Sequence, residues 1–197
     1  MKNISLLVML LLMSANVWAL DLDISGDYYV TPNPERNTHE DAWGAHVRVS
    51  DQIKNELYWF AEGGHITDMR YQSGSDDLGE ARGYLGLGGL IFKPETNWDL
   101  KPYFFAGAGA GTWEFKESPF LQDEGITIDM DVSLVTKVGG GVEYIIDDKW
   151  TVQIESGWFQ TKIGVSCTDD GVSCNLPDDD PTGVEFIPIS VAGKYKF

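Results

Sequence analysis

Charged side chains of both signs recur within the alternating apolar segments, and they are the first candidates for chemistry. They are Arg48, Glu62, Arg82, Lys137, Glu143, Glu155 and Lys194. Where alternating strands close around a narrow interior, an uncompensated charge is costly, so these residues are expected to pair as a lumen salt-bridge network. Such a network either plugs that interior or rearranges to gate a conduit. We predict the plug, and therefore poor conductance.

The histidines are the next candidates for chemistry, because a hydrolase would use one of them as its base. They are His39, His46 and His65. Nucleophilic catalysis needs a His beside a Ser, oriented by an acid. Eight-stranded lipid A deacylases carry their His and Ser close together late in the chain, and no His follows His65 here. His65 with Asp68 and Ser73 has the right residue types and no other support. The sequence therefore predicts no enzyme, no catalytic residue and no cofactor.

Cysteines and acidic residues concentrate in the predicted loops. Cys167 and Cys174 lie seven residues apart, and exported chains usually oxidise such a pair, so a loop disulfide is predicted. Acidic clusters such as Asp169-Asp170 and Asp178–Asp180 have the ligand type that divalent cations prefer. Their spacing matches no calcium loop, which favours solvated loops and predicts no metal site.

The first nineteen residues are interpreted as a signal peptide. Lys2 precedes the apolar run Ile4–Met13, which is shorter than the ~20 residues needed to span a bilayer. Val17-Trp18-Ala19 forms an A-x-A-like cleavage site before Leu20. We therefore expect an exported chain, with a signal peptide at 1–19 and one β-barrel domain at 20–197.

Composition limits the class of protein. A length of 197 residues fits one domain, and a net charge of −17 argues against nucleic acid as a partner. A mean hydropathy of −0.19 excludes a helical membrane protein. The 12% aromatic content and 22 glycines fit a transmembrane barrel with a polar lumen and loops. The same averages fit a soluble secreted β-protein.

Eight segments of period-two alternation predict the strands that must position these residues. They are Asp21–Val30, Ala42–Ser50, Glu56–Ile66, Ala81–Phe92, Leu100–Trp113, Ile128–Ile146, Trp150–Ile163 and Gly183–Phe197. Most reach the ~9–11 residues that a tilted strand needs to cross a bilayer. Long and short connections alternate between them, as in outer-membrane barrels. The prediction is all-β: an eight-stranded antiparallel up-and-down transmembrane β-barrel with both termini in the periplasm.

Alternation alone does not say which face lies inside. In the last predicted strand, Ile187, Ile189 and Val191 alternate with Ser190 and Ala192. Glycine-rich polar faces suit a tight lumen, and aromatic residues at strand ends suit membrane interfaces, so apolar-out is favoured. The same rule, applied to the fourth strand, puts Leu85, Leu87 and Ile91 toward lipid, and Arg82, Tyr84, Gly86 and Gly88 inside.

Three motifs stand out along the predicted strands: the runs 101–109 (KPYFFAGAG), 137–144 (KVGGGVEY) and 150–155 (WTVQIE). Together they resemble the OmpA-like and opacity-protein superfamily of eight-stranded outer-membrane barrels. Tyr195 and Phe197 are similar to the C-terminal aromatic signal read by the barrel-assembly machinery, so the resemblance implies that partner during biogenesis. It also implies a bacterial outer-membrane location, with lipid and lipopolysaccharide around the barrel. These motifs mark the barrel rather than one activity.

The leading functional hypothesis is a structural or surface-binding barrel. Loops on a rigid frame are where binding resides, so adhesion, envelope integrity and a host or surface ligand at the loops all fit. The alternative is a narrow, porin-like pore or carrier for small solutes, which requires an open lumen. A lipid-modifying enzyme and a soluble lipocalin-like carrier are less favoured.

Overall fold

The computed structural model describes residues 20–32, 40–73, 76–169, 172–174 and 182–197. The predicted signal peptide at 1–19 lies outside these residues. Within the described ranges, no helix has both the length and the apolar character needed to span a membrane. Eleven strands and one short helix make up the described secondary structure.

Eight long strands form the wall of a barrel. They are β1 (Asp21–Val30), β2 (Ala42–Lys54), β3 (Leu57–Ser73), β4 (Asp76–Phe92), β5 (Leu100–Glu117), β7 (Ser133–Ile145), β8 (Trp150–Ile163) and β11 (Thr182–Lys196). Each neighbouring pair is antiparallel, and β1 closes the ring by pairing with β11 from Asp21↔Lys196 to Val30↔Ile187. The predicted eight-stranded antiparallel barrel is confirmed.

The first and last described residues, Leu20 and Phe197, meet at one end of the barrel. The backbone N–H of Phe197 donates to the carbonyl oxygen of Leu20 at 3.3 Å. We call this end the terminal end, and the opposite end the loop end. β3, β4 and β5 have 17, 17 and 18 residues, so they extend past the ~9–11 residues that a bilayer requires and project at the loop end.

A second, smaller sheet covers part of the loop end. It consists of β6 (Ile126–Met130), β9 (Val165–Asp169) and β10 (Val172–Cys174), in the order β10-β9-β6, and we call it the rim sheet. The helix α1 (Pro119–Asp123) precedes it. Ser118 caps the helix by accepting a hydrogen bond from the Leu121 amide at 3.4 Å.

The rim sheet corrects the prediction of one continuous strand over Ile128–Ile146. The segment breaks at Asp131 and Val132, and β6 leaves the barrel to pair with β9 while β7 continues the wall. The Asp131 amide donates to the Gly164 carbonyl at 2.9 Å, which fixes the break. The predicted loop Thr67–Glu80 is also wrong over most of its length, because β3 and β4 continue there as a long hairpin.

Face assignment follows the predicted rule on most of the wall. Val47, Ile154 and Val191 are exposed on the outer surface, whereas their neighbours Arg48, Glu155 and Ser190 are buried inside. Inward glycines make room for large rings: a Cβ at Gly107 would lie 2.7 Å from the Phe60 ring. The apolar-out, polar-in prediction is therefore confirmed for the second, seventh and last predicted strands.

The fourth predicted strand has the opposite orientation. Leu85, Leu87 and Ile91 are buried in the lumen, whereas Tyr84 and Leu90 are exposed on the outside. The glycine-rich side of β4 therefore faces outward, and Arg82 is exposed with it. The prediction failed because it assumed a polar lumen at every level, and the lumen near β4 contains apolar side chains.

Candidate functional site

The centre of the lumen holds a buried arginine between two glutamates. Arg48 donates from Nε and Nη2 to Glu62 Oε2, at 2.9 and 2.6 Å. It also donates from Nη1 to Glu155 Oε2 at 2.8 Å and from Nη2 to Glu155 Oε1 at 3.0 Å. Arg48 and Glu62 are register partners on β2 and β3, whereas Glu155 reaches across the lumen from β8. The planar guanidinium thus connects opposite walls.

A lysine completes this central cluster. Lys137 Nζ donates to Glu62 Oε1 at 3.1 Å and to Glu155 Oε1 at 3.2 Å. The Tyr103 hydroxyl donates to Glu155 Oε2 at 3.0 Å. The Phe105 ring lies beside both cations, with Arg48 Cζ at 5.3 Å and Lys137 Nζ at 5.4 Å from its centroid. Each charge has an opposite partner, which compensates its removal from water.

A histidine joins the cluster on its β1 side. His46 Nδ1 lies 2.9 Å from Asp27 Oδ2 and 2.7 Å from Ser25 Oγ. Its Nε2 lies 3.6 Å from Glu62 Oε2. Ser25 and Asp27 share the same ring nitrogen, so the histidine cannot relay a proton from the serine on one side to the acid on the other. This arrangement joins buried polar groups of β1, β2 and β3 into one set of contacts.

A second ionic cluster lies nearer the terminal end. Glu143 Oε1 accepts hydrogen bonds from Lys93 Nζ at 2.9 Å, Lys194 Nζ at 2.7 Å and Gln153 Nε2 at 2.7 Å. Lys194 Nζ also lies 3.5 Å from Asp21 Oδ2. Four barrel strands and the segment after β4 contribute to this contact set, so it connects distant parts of the wall.

The lumen near the loop end is apolar. Its side chains form one buried cluster that includes Tyr29, Ile66, Met69, Trp113, Val135, Phe159, Ile163, Val184 and Phe186. Phe115, Met130 and Val165 pack against the cluster, and the last two belong to the rim sheet. The same cluster extends to Phe60, Ile91 and Phe105 beside the ionic groups. The lumen is therefore apolar near the loop end, and it holds ionic and apolar contacts together toward the terminal end.

The structure brings six of the seven predicted lumen charges into two clusters. Arg48, Glu62, Lys137 and Glu155 lie in the central cluster, and Glu143 and Lys194 lie in the second. Arg82 corrects the prediction, since it is exposed on the outer surface of β4.

Sequence reasoning missed four ion-pair partners in these clusters. They are Asp21, Asp27, His46 and Lys93. Strand parity could have indicated three of them, because Asp21, Asp27 and His46 share the parity of the buried positions on β1 and β2.

The predicted cysteine pair lies in the rim sheet, and the predicted C-terminal aromatic signal lies at the terminal end of the barrel. Cys167 and Cys174 are register partners between β9 and β10, and Cys167 is not a free thiol. Their disulfide stays a prediction. Tyr195 and Phe197 stack edge to face, with ring centroids 4.9 Å apart, at the terminal end. Their role in assembly also stays a prediction. Among the described residues, no His, Cys, Asp and Glu side chains form a group that could hold a metal ion.

Comparisons with known proteins identify the fold. OprG, an outer membrane protein from Pseudomonas aeruginosa, superposes with a TM-score of 0.68 at 13% identity, over 91% of this chain and 96% of that chain. Neisserial surface protein A has a TM-score of 0.54 at 15% identity, over 91% and 96%. The β-barrel domain of Pseudomonas aeruginosa OprF has 0.53 at 12% identity, over 91% and 98%.

These similarities and the apolar outer wall define the class as a small eight-stranded outer-membrane β-barrel. The resemblance to OmpA-like and opacity-protein barrels is thus confirmed at the level of the fold. No family model matches the chain, and no curated protein matches it either. At identities this low, similarity to solved structures establishes the fold and leaves the particular activity open.

Proposed function

We propose that this chain is a non-enzymatic outer-membrane barrel that acts as a closed scaffold and presents its loop end for surface binding. The observation that carries the proposal is the filled lumen. Arg48, Glu62, Lys137 and Glu155 are at most 7% exposed and bond across the barrel, and an apolar cluster fills the lumen beyond them. A filled lumen leaves the outer wall and the rim as the surfaces on which partners can act.

The rim is the surface we assign to binding, with the loop end extracellular and both termini in the periplasm. The rim sheet and α1 are held on the long β3–β5 extensions: the Ile128 amide donates to Glu117 Oε1 at 3.2 Å. Leu121 of α1 is buried, whereas Phe120 on the same helix is 51% exposed. A rigid frame with an exposed aromatic residue supports adhesion to a host or surface ligand.

Conductance tests the closed scaffold. In planar bilayers the refolded wild-type barrel is expected to give no stable ion-selective current, because paired charges and packed apolar side chains occupy the lumen. Arg48→Ala together with Lys137→Ala removes the cations that fill the centre and is expected to raise channel activity. Arg82→Ala, on the outer surface, is the matched control. Large, stable wild-type currents would overturn the closed scaffold.

A second candidate, a carrier for apolar solutes, is favoured by one observation. The lumen at the loop end is apolar and is covered by Met130 and Val165 of the rim sheet. Displacement of the rim sheet would open an apolar compartment above the charged layer. Uptake of an apolar fluorescent probe into vesicles that contain the wild-type barrel, with no uptake into empty vesicles, would favour this candidate over the scaffold.

A further inference from the structure

The outer wall formed by β3, β4 and β5 differs from the rest of the barrel surface. Its outward positions at mid-height are small, and the register aligns them across the three strands: Ala61, Gly63, Gly86, Gly88, Ala108 and Ala110. A Cβ at Gly63 or Gly86 would meet nothing within 4 Å, so the space outside them is open. The wall formed by β7, β8 and β11 carries bulky exposed residues such as Leu134, Ile154 and Val191.

Basic side chains lie next to this surface of small residues, on its loop-end side. Arg82 on β4 and Lys116 on β5 are exposed and face outward. The register pairs Glu80 with Lys116 and Arg82 with Glu114, so Arg82 and Lys116 are diagonal neighbours with Cα atoms roughly 7–8 Å apart. Arg70 on β3 follows in the same row and lies 3.6 Å from Glu80. Among the described side chains, Glu80 lies beside Arg70, and Glu114 is the acid that the register places opposite Arg82.

The height of Arg82 matches the edge of a bilayer. From Phe92, at the terminal end of β4, to Arg82 the strand runs eleven residues, close to the ~9–11 that a tilted strand needs to cross. His65 and Tyr84 stack just below it, with ring centroids 4.7 Å apart, as aromatic residues do at a membrane interface. Arg82 therefore lies where lipid headgroups begin.

We propose that the β3–β4–β5 wall binds one outer-leaflet lipid with a phosphorylated headgroup, of the lipopolysaccharide type. Its phosphate contacts Arg82 and Lys116, and an acyl chain lies along the small-residue surface below them. Charge complementarity supports this occupant in a chain whose net charge is −17, because lipid phosphates are anionic. The inference rests on the proposed outer-membrane location with the loop end outside, and it is independent of what binds the rim.

A second copy of the chain is the less suitable occupant. A two-fold axis along the membrane normal brings equal heights of the two barrels together. The described side chains of this row are Arg70, Arg82 and Lys116 with Glu80 and Glu114. They carry a net positive charge, and a two-fold axis would bring that charge against itself. A lipid brings the opposite charge to the row and an apolar tail to the small-residue surface.

Native mass spectrometry from detergent micelles tests the headgroup contact, with diphosphoryl lipid A as the probe. Arg82→Gln with Lys116→Gln is expected to weaken binding by about tenfold or more, because two cations near the headgroup are lost. Lys162→Gln is the matched control, since Lys162 is an exposed cation on β8. Dephosphorylated lipid A is expected to bind wild type no better than it binds the double variant.

Ala108→Leu tests the acyl-chain contact and is also expected to weaken lipid A binding. Ala45→Leu, at an exposed outward alanine on β2, is its matched control. Equal loss of lipid A binding in the variants of the β3–β4–β5 wall and in their controls overturns the proposal, as does a lipid-free dimer that Ala108→Leu abolishes. If wild type folds as a barrel and binds no lipid A, this inference fails and the scaffold function stands. If wild type forms no membrane barrel, the lipid-binding inference and the scaffold function both fail.

Discussion

At the residue scale, Arg48 is the side chain on which the closed lumen depends most. It is 1% exposed, and its guanidinium bonds to carboxylates from two walls, Glu62 on β3 and Glu155 on β8. A buried ion pair adds modest net stability when complete, because desolvation offsets most of the attraction. Removal of one member is costly, since it leaves an uncompensated buried charge.

Arg48→Met is therefore expected to lower the free energy of unfolding by about 3–5 kcal/mol. Glu62 and Glu155 then face each other with Lys137 as the remaining strong cation. Adding Glu155→Gln to Arg48→Met is expected to recover part of this loss. Urea unfolding in micelles, followed by tryptophan fluorescence, measures each variant.

Arg82→Met is the matched control for this prediction, with an expected change within about 0.5 kcal/mol, because Arg82 is exposed on the outer wall. Equal destabilisation by Arg48→Met and Arg82→Met would contradict the network. It would instead support the placement of Arg82 among the lumen charges that the sequence predicted.

At the element scale, the sequence predicted strand positions better than strand orientation. β1 and β8 have the predicted bounds, because turn residues and apolar alternation mark both ends. The orientation of β4 could not be predicted, since Leu85 and Leu87 match lipid-facing and lumen-facing roles equally well. The break at Asp131 could not be predicted either. The alternation of apolar and polar residues continues from β6 into β7, although β6 belongs to the rim sheet and β7 to the wall.

The turn between β7 and β8 gives a pH-dependent prediction at this scale. Asp147 accepts hydrogen bonds at 2.8 Å from the amides of Lys149 and Trp150. These backbone donors lower the pKa of the Asp147 carboxyl below its ordinary value. A lowered folded-state pKa contributes stability that is present above the unfolded-state pKa, and is lost as the pH falls below about 4.

Asp147→Ala is therefore expected to destabilise the barrel at neutral pH and to differ less from wild type as the pH falls below about 4. Asp148→Ala, at the adjacent position, is the control and is expected to show neither effect. Unfolding midpoints across this pH range provide the measurement. A constant difference between Asp147→Ala and wild type at every pH would show that the carboxylate charge is not what stabilises the turn.

At the scale of the whole molecule, the lumen changes character along its length. The ionic clusters around Arg48 and Glu143 connect the wall toward the terminal end, and the apolar cluster around Phe159 and Phe186 continues to the rim sheet. The sequence predicted six of the charged participants because inward charges must be compensated. It could not predict the apolar half, since a lumen-filling aromatic such as Phe159 has the same residue type as a lipid-facing one.

The closed ring predicts heat-modifiable mobility. Every wall strand pairs on both sides, so the barrel has no open edge from which unfolding starts, and detergent alone is expected to leave it folded. Expressed as the full chain, including the predicted signal peptide at 1–19, the protein is expected in the outer-membrane fraction, migrating faster unboiled than boiled.

Val191→Arg is the discriminating variant for this experiment. Val191 is 57% exposed on the outer wall, and a cation near the bilayer midplane costs about 2–4 kcal/mol, so the fast-migrating form should diminish. Recovery of the wild type in the soluble periplasm without a mobility shift would place the apolar surface against a carried ligand rather than lipid. That result would favour a lipocalin-like carrier over the membrane barrel.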